Sequence, residues 1–386
     1  MVSPQSTGQL PARIRATLLV AIAAVALGLL FANKVANKMP DLAVYWTAAH
    51  RARHAEPLYR AEDGHYQFKY LPTFAVLIVP LGAVTLESAK LIWFAVSVGL
   101  LALLLALSLR VLPERRRSAW LLVMLTLLVM AKFYGHELVL GQMNAPLAVI
   151  VTAAAVAAMS GREAATGALI ALAIVVKPYA VLFLPWLGAR RRAVSMTLAA
   201  VGCAFVFLLP SVIYGIDGTV QLHRAWWSTV TSSTAPNLTN ADNVSIAAMW
   251  TKWVGTGQVA ALLAIATSAV MLIVAALVFA RRKGVRRPEA LECALLLTLI
   301  PLLSPQGWDY VFLLSTPAVM LLLNYDDQLP RVARIATRVA LATIALSVYD
   351  IMGRTAYGMF MSLSLITVCY FMVVAALYTL RRRGVA

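Results

Sequence analysis

The sequence predicts an all-α, polytopic integral membrane protein that forms one unit over residues 1–386. Hydrophobic residues make up 61% of the chain and charged residues only 13%, a balance that is uncommon in water-soluble proteins of this length. Apolar stretches long enough to cross about 30 Å of hydrocarbon recur along the whole chain. Because lipid offers no partner for backbone N–H and C=O groups, these stretches must form helices.

The basic residues predict how these helices are oriented. The formal net charge is +17, and many of the arginines lie in short clusters between apolar stretches, at residues 115–117, 190–192, 281–287 and 381–383. Such clusters mark cytoplasmic helix ends under the positive-inside rule. They lack the interleaved aromatic residues of a nucleic-acid-binding surface. We therefore expect a cytoplasmic C-terminus, with residues 34–70 and 215–257 as outer connections.

We expect about twelve transmembrane helices, together with interfacial or re-entrant helices. Residues 14–31 resemble a signal sequence without a cleavage site, so they are predicted as a retained first helix with a cytoplasmic N-terminus. Residues 71–84 are short and contain two prolines, which favours a re-entrant segment. The stretch 164–187 is interrupted at Lys177-Pro178, since proline removes a helix hydrogen bond. The other expected spans are residues 91–109, 120–134, 145–159, 193–214, 258–280, 290–303, 311–324, 332–349 and 359–380.

The outer connection 34–70 contains an unusual mixture of charges. Asp41 and Glu56 lie there together with Arg53 and Lys69. Residues 41–53 also have apolar side chains at helical spacing, which predicts a helix lying along the membrane surface. One interpretation is a solvated interfacial helix. The other is a site at the bilayer surface, where a carboxylate meets cations suited to a lipid phosphate.

Further polar residues lie within or beside apolar stretches. Lys177 is a charge inside a predicted span, so it either faces a polar cavity as a phosphate ligand or extends to the surface from a helix end. Gln142 and Asn144 either bind a polar ligand or form the polar start of a helix. His136 lies just before them and is a further candidate.

The sequence contains no motif that indicates another class of chemistry. The three cysteines, Cys203, Cys293 and Cys369, are scattered through apolar stretches and indicate neither a disulfide framework nor a metal site. The phosphate-loop, dinucleotide-binding, zinc-protease and nucleophile-elbow motifs are absent. We expect no cofactor and no metal.

Five motifs in order resemble glycosyltransferase family 87, a family of polytopic enzymes with the GT-C fold. The first is D-x-x-V-Y-W-x-A-A from Asp41, followed by P-L-Y and Y-L-P-x-F-A-x-L-x-x-P-L. The others are G-Q-M-N at residues 141–144, Lys177-Pro178, N-V-S at residues 243–245, and S-P-x-x-W at residues 304–308. The last motif departs from the family pattern, in which histidine often follows, because Asp309 and Tyr310 occupy those positions here.

This resemblance implies an inverting, metal-independent transfer of a hexose, typically mannose, from a polyprenyl phosphate donor to a lipid or glycan acceptor. The reaction is expected at the outer face of the bacterial inner membrane. By correspondence with the family, Asp41 is the base that takes the proton from the acceptor hydroxyl. Its alternative role is to cap the interfacial helix. The donor phosphate is assigned to Lys177, Lys69 and Arg53, and the sugar or acceptor to Glu56, His136, Gln142, Asn144, Asn243 and Trp308.

Two other functions remain open on the sequence. A transporter or flippase of lipid-linked sugars also uses proline-broken helices around a central site, although no internal repeat is evident here. A structural subunit of an envelope-assembly complex has no need of Asp41. Transfer of a radiolabelled sugar in membranes separates these three functions.

The first prediction concerns topology. In a variant lacking the native cysteines, we expect an impermeant thiol reagent applied from outside to label a cysteine at position 142 but not one at position 116. The positive-inside rule places the arginine cluster in the cytoplasm, and collects the polar motifs on the other face. Labelling at 116 and not at 142 contradicts the predicted orientation of the first half.

Overall fold

The structure is a computed structural model that describes residues 25–385. Helices account for 80% of it, and the described residues contain no β-strand, only an isolated antiparallel bridge between Asn243 and Trp308. The all-α prediction is therefore confirmed. The predicted first span, residues 14–31, lies mostly outside the described residues, as does the N-terminus whose location was predicted.

Seventeen helices follow one another in the described part of the chain. They are α1 (Val25–Val35), α2 (Pro40–Arg53), α3 (Pro72–Leu77), α4 (Leu86–Val111), α5 (Ala119–Leu140), α6 (Asn144–Met159), α7 (Glu163–Val176), α8 (Phe183–Ala189), α9 (Ala193–Leu208), α10 (Ser211–Asn237), α11 (Ile246–Val254), α12 (Gln258–Ala280), α13 (Glu289–Leu303), α14 (Thr316–Asn324), α15 (Arg331–Leu346), α16 (Tyr349–Ser362) and α17 (Leu365–Arg382). Short 3₁₀ segments connect several of them, at Ala61–Tyr66, Val79–Ala83, Pro178–Leu182, Asp309–Ser315 and Asp326–Gln328.

Four of these helices, α4, α5, α12 and α17, are long and apolar enough to cross a membrane alone. The number rises to six if each of two bent pairs forms one span: α9 with α10, bent by 87°, and α15 with α16, bent by 107°. The expected count of about twelve is thus not confirmed by length and composition. Several expected spans are shorter than the roughly 20 residues of an unbroken crossing, for example α6 with 16 residues and α7 with 14.

The arginine clusters and the polar motifs lie at opposite ends of the helices, which we call the charged end and the cavity end. Arg116, just before α5, pairs with Asp327 at 2.6 Å. Arg190 pairs at 2.9 Å with Glu163, the first residue of α7. Helices α5 and α7 then run from these clusters to the segments that line a polar cavity. Because the helices run back and forth between the two ends, the arginine clusters lie at the charged end and the cavity-lining polar residues at the cavity end.

Local predictions agree with the structure in two places and differ in a third. The helix predicted at residues 41–53 is α2, and Tyr45, Ala48 and Ala49 are buried on its inner face. The predicted interruption is also present: α7 ends at Val176, and Lys177 has an extended backbone with φ −146° and ψ 120°. The connection 215–257, however, is mostly helical, because α10 continues beyond a bend and packs against α3 and α9.

The turn between α5 and α6 depends on a glycine. Gly141 has a φ of 70°, a left-handed conformation that costs other residues roughly 1–2 kcal/mol. A Cβ atom added there would lie 2.7 Å from the Cβ of Leu42 on α2, which is closer than such atoms can approach. Because Gly141 has no side chain, the first turn of α2 packs directly against the turn between α5 and α6.

The second prediction tests this contact with the substitution Gly141→Ala. We expect a lower midpoint of thermal unfolding in detergent, since the new methyl group both strains the backbone and collides with Leu42. Gly135→Ala is the matched control, because Gly135 lies near the end of α5, six residues before Gly141, and an added Cβ meets nothing within 4 Å. That control should unfold at the same temperature or higher, as alanine favours helix over glycine. Equal midpoints for the two variants contradict the proposed role of Gly141.

Candidate active site

A cavity of about 670 Å³ opens at the cavity end. It is bounded by α2, the segment after it, the end of α5, the break after α7, α10, the segment after α13, and α16. A cavity of this size holds a ligand of small-molecule dimensions. Six of the residues predicted from the sequence line it: Asp41, Lys69, His136, Gln142, Lys177 and Trp308.

Asp41 lies in the first turn of α2, directly after Pro40. The N-cap of this helix is Met39, so the alternative interpretation of Asp41 as the capping residue is wrong. Its carboxylate accepts a hydrogen bond of 2.6 Å from Nε2 of Gln142. The Gln142 amide is itself oriented by Tyr45, whose hydroxyl donates to Oε1 at 3.3 Å. These contacts place the carboxylate at the cavity wall in one orientation.

Two opposing effects act on the Asp41 carboxylate. Burial raises the pKa of Asp41 above its ordinary value, because the charged form loses water. The hydrogen bond from Gln142 and the nearby charges of Lys177, His65 and Lys69 lower the pKa again, without cancelling the effect of burial. The result is a carboxylate with more affinity for a proton than a free aspartate, close to two lysines.

Lys177 reaches the cavity from the break between α7 and the following 3₁₀ segment. Its side chain is buried, and its Nζ donates a 2.6 Å hydrogen bond to Oδ1 of Asn144. Asn144 in turn donates to Glu137 at 2.8 Å, and Glu137 also accepts from the backbone N–H of Ala145 at 2.6 Å. The Tyr70 ring lies 5.8 Å from the ammonium. Only one of the three N–H groups is thus used within the described residues, and the other two are available to a ligand.

Lys69 is the second cation near Asp41. Its side chain lines the cavity, and among the residues that the structure describes its ammonium has no hydrogen-bond or salt-bridge partner. The surrounding segment is fixed by Trp226 of α10, whose Nε1 donates to the Lys69 carbonyl at 3.1 Å. Burial lowers the pKa of Lys69, and the charge of Asp41 partly restores it. An unpaired ammonium in a half-buried cavity is suited to bind an anion.

Four predicted site residues lie outside the cavity. Arg53 is exposed at the end of α2, and Glu56 forms an ion pair of 2.6 Å with Arg60. Asn144 acts behind the cavity wall, between Lys177 and Glu137. Asn243 is fully buried and donates to the carbonyl of Pro305 at 2.8 Å. Arg53 therefore does not line this cavity, and Asn243 holds the backbone of the segment that contains Pro305.

The sequence analysis missed a second group of charges in the same cavity. Lys132 of α5 pairs with Asp309 at 2.8 Å, and Nδ1 of His136 lies 3.4 Å from the other Asp309 oxygen. The sequence could have indicated Lys132, because it is a charged residue within the predicted span 120–134, just as Lys177 lies within the predicted stretch 164–187. Asp309 was noticed only as a departure from a motif. Its two partners are 177 and 173 positions away, too distant to be inferred from spacing.

The described residues thus define a polytopic membrane protein with a buried polar cavity at one end. The family model for glycosyltransferase family 87 matches residues 68–305, which is more than half of the chain. The chain belongs to this family and is a glycosyltransferase. The match includes Lys69, Gln142 and Lys177 and begins after Asp41. No curated protein and no solved structure matches the chain.

Proposed function

We propose that the protein is an inverting transferase that moves a hexose, typically mannose in this family, from a polyprenyl phosphate donor to a lipid or glycan acceptor. The observation that carries this proposal is the grouping of one partly buried carboxylate, Asp41, with two incompletely paired lysines in a single cavity. Phosphate is already a competent leaving group. The site therefore needs a proton acceptor for the incoming hydroxyl and cations for the departing phosphate.

In the proposed reaction, the acceptor oxygen attacks the anomeric carbon from the side opposite the phosphate. The new C–O bond forms as the bond between the anomeric carbon and the phosphate oxygen breaks, and that electron pair leaves with the phosphate. Asp41 takes the proton of the acceptor hydroxyl. Lys69 and Lys177 stabilise the charge that develops on the phosphate, and Gln142 holds the carboxylate in position.

We also propose that the cavity opens at the outer face of the bacterial inner membrane, with a GT-C-like arrangement of twelve crossings. The proposed crossings are α1, α4, α5, α6, α7, Pro178–Ala189, α9, α12, α13, Asp309–Asn324, α15 and α17. Several of these segments are shorter than a full crossing, so their cavity ends would lie within the bilayer. The cavity would then lie below the membrane surface. The arginine clusters support a cytoplasmic charged end.

The transporter alternative is set aside, because the chain belongs to a family of glycosyltransferases. The same fact counts against a purely structural subunit. The proposed donor and acceptor rest on the cavity: its lysines fit a lipid-linked phosphate, and its position beside the surface helix α2 fits substrates that reside in the membrane.

The third prediction concerns the two lysines. Lys69→Met and Lys177→Met each keep most of the apolar stem and remove the charge, so we expect each to weaken binding of a polyprenyl monophosphate by about tenfold or more. The measurement is a titration of the purified protein in detergent with that lipid. Lys283→Met is the matched control, since Lys283 is exposed at the charged end. Unchanged affinity in both cavity variants contradicts the assignment of the phosphate.

The fourth prediction concerns Asp41→Asn, a nearly isosteric change that removes the proton acceptor. We expect normal membrane insertion, retained binding of the polyprenyl monophosphate, and transfer slowed by about a hundredfold or more, the usual effect of losing a general base. In the unsubstituted enzyme, transfer should fall as the pH drops through the raised pKa of Asp41, because the base is then protonated.

Asp63→Asn serves as the control for Asp41→Asn, because Asp63 is a carboxylate in the same outer connection that pairs with Arg51 and does not line the cavity. Its transfer rate should remain close to that of the unsubstituted protein. The base assignment is wrong if Asp41→Asn transfers sugar as fast as the unsubstituted protein does.

A further inference from the structure

The second group of charges in the cavity has no role in the proposed reaction so far. Asp41 and Asp309 both line the cavity, but their carboxylates contact different side chains: Asp41 accepts from Gln142, whereas Asp309 contacts Lys132 and His136. The two groups therefore occupy different parts of one cavity. If the donor phosphate binds at Lys69 and Lys177, the part beside His136 remains free for the other substrate.

The Lys132–Asp309 pair is built into the protein and is not exposed to bulk water. The two side chains are each only 3% exposed, while His136 is 41% exposed and lines the cavity. Lys132 also lies 4.8 Å from the centre of the Tyr357 ring. Burying one charge without a partner is strongly unfavourable, so each member of the pair stabilises the other where it lies.

The backbone around Asp309 is fixed as well. Its N–H donates to the carbonyl of Asp242 at 3.1 Å, and the N–H of Val244 donates to the carbonyl of Gly307 at 2.8 Å. The Asn243 side chain adds the bond to Pro305 described above. The carboxylate thus projects from a segment, residues 305–309, that is tied to residues 242–244, and it can hold a neighbouring ring in one orientation.

The contact with Asp309 distinguishes the two nitrogens of His136. Nδ1 faces the carboxylate at 3.4 Å, and a histidine nitrogen in that position carries its proton toward the carboxylate. Since Lys132 already balances the charge of Asp309, one N–H donor at Nδ1 satisfies the arrangement. In the tautomer that carries its proton on Nδ1, Nε2 has a lone pair and can accept a hydrogen bond from a ligand in the cavity.

We propose that Lys132 and Asp309 are positioning residues that hold His136 so that its Nε2 accepts a hydrogen bond from a hydroxyl of the acceptor substrate. This inference rests on the proposed function and adds which substrate binds in this part of the cavity. The chemistry there fits a neutral polyol. Lys132 and Asp309 balance each other, and the nearby Asp242 and Lys252 add one charge of each sign, so no net positive charge attracts a second phosphate.

The experiment compares three variants in a transfer assay with purified protein, a polyprenyl phosphosugar donor and a membrane-lipid acceptor fraction. His136→Gln removes the oriented ring, and Lys132→Met with Asp309→Asn removes both buried charges together, leaving no unpaired charge. The third variant combines all three substitutions. We expect His136→Gln and the double variant each to raise the KM for the acceptor by about tenfold, the scale of one lost hydrogen bond.

The combined variant tests whether the three residues act as one unit. If Lys132 and Asp309 act through His136, its KM for the acceptor should also rise by about tenfold and not by the product of the separate effects. Affinity for the polyprenyl monophosphate should be unchanged throughout. His54→Gln is the matched control, since His54 is exposed at the end of α2 and does not line the cavity.

Three outcomes separate the possibilities. An unchanged acceptor KM in His136→Gln overturns the inference, even if the double variant does not insert. Separate effects that multiply in the combined variant also overturn it, because the ion pair would then act only on the structure. If the unsubstituted protein transfers no sugar from any polyprenyl phosphosugar, the proposed function itself fails, and this is seen before any variant is compared.

Discussion

The arrangement of this protein depends on the free-energy cost of placing charged side chains among apolar helices. A lone ammonium or carboxylate in such surroundings must find a partner or lose its charge. The chain of contacts from Glu137 through Asn144 to Lys177 meets this requirement with one amide that serves both charges. It also connects the ends of three helices, α5, α6 and α7. The polar groups of the site thus hold together the helices that surround it.

Broken helices make this cavity possible. At Lys177 the backbone becomes extended before Pro178, and at Gly141 it adopts a left-handed conformation. Each break releases the chain from helical geometry and points polar side chains into the same space. Non-helical backbone at membrane depth is tolerated where it is buried in protein or lines a polar cavity. The breaks therefore place the polar side chains of the site, and the polar cavity in turn allows non-helical backbone at this depth.

Much of the site could be predicted from individual residues, but its contacts could not. A charge within a predicted span indicated Lys177, and the mixture of charges at residues 34–70 indicated Asp41 and Lys69. Rules of this kind identify residues that are costly to bury. They do not say which of them meet, so the hydrogen bonds from Gln142 to Asp41 and from Asn243 to the backbone carbonyl of Pro305 were not predicted.

The sequence by itself determined the all-α class, the helix at α2 and the interruption at Lys177-Pro178, because composition, helical spacing and proline act over a few neighbouring residues. The sequence by itself did not determine the number of crossings, since the length of a short or bent helix does not show how that helix lies in a membrane. Only the tertiary structure brought Lys132, His136 and Asp309 together. Side chains from helices far apart in the chain meet through packing, and packing is a property of the whole fold.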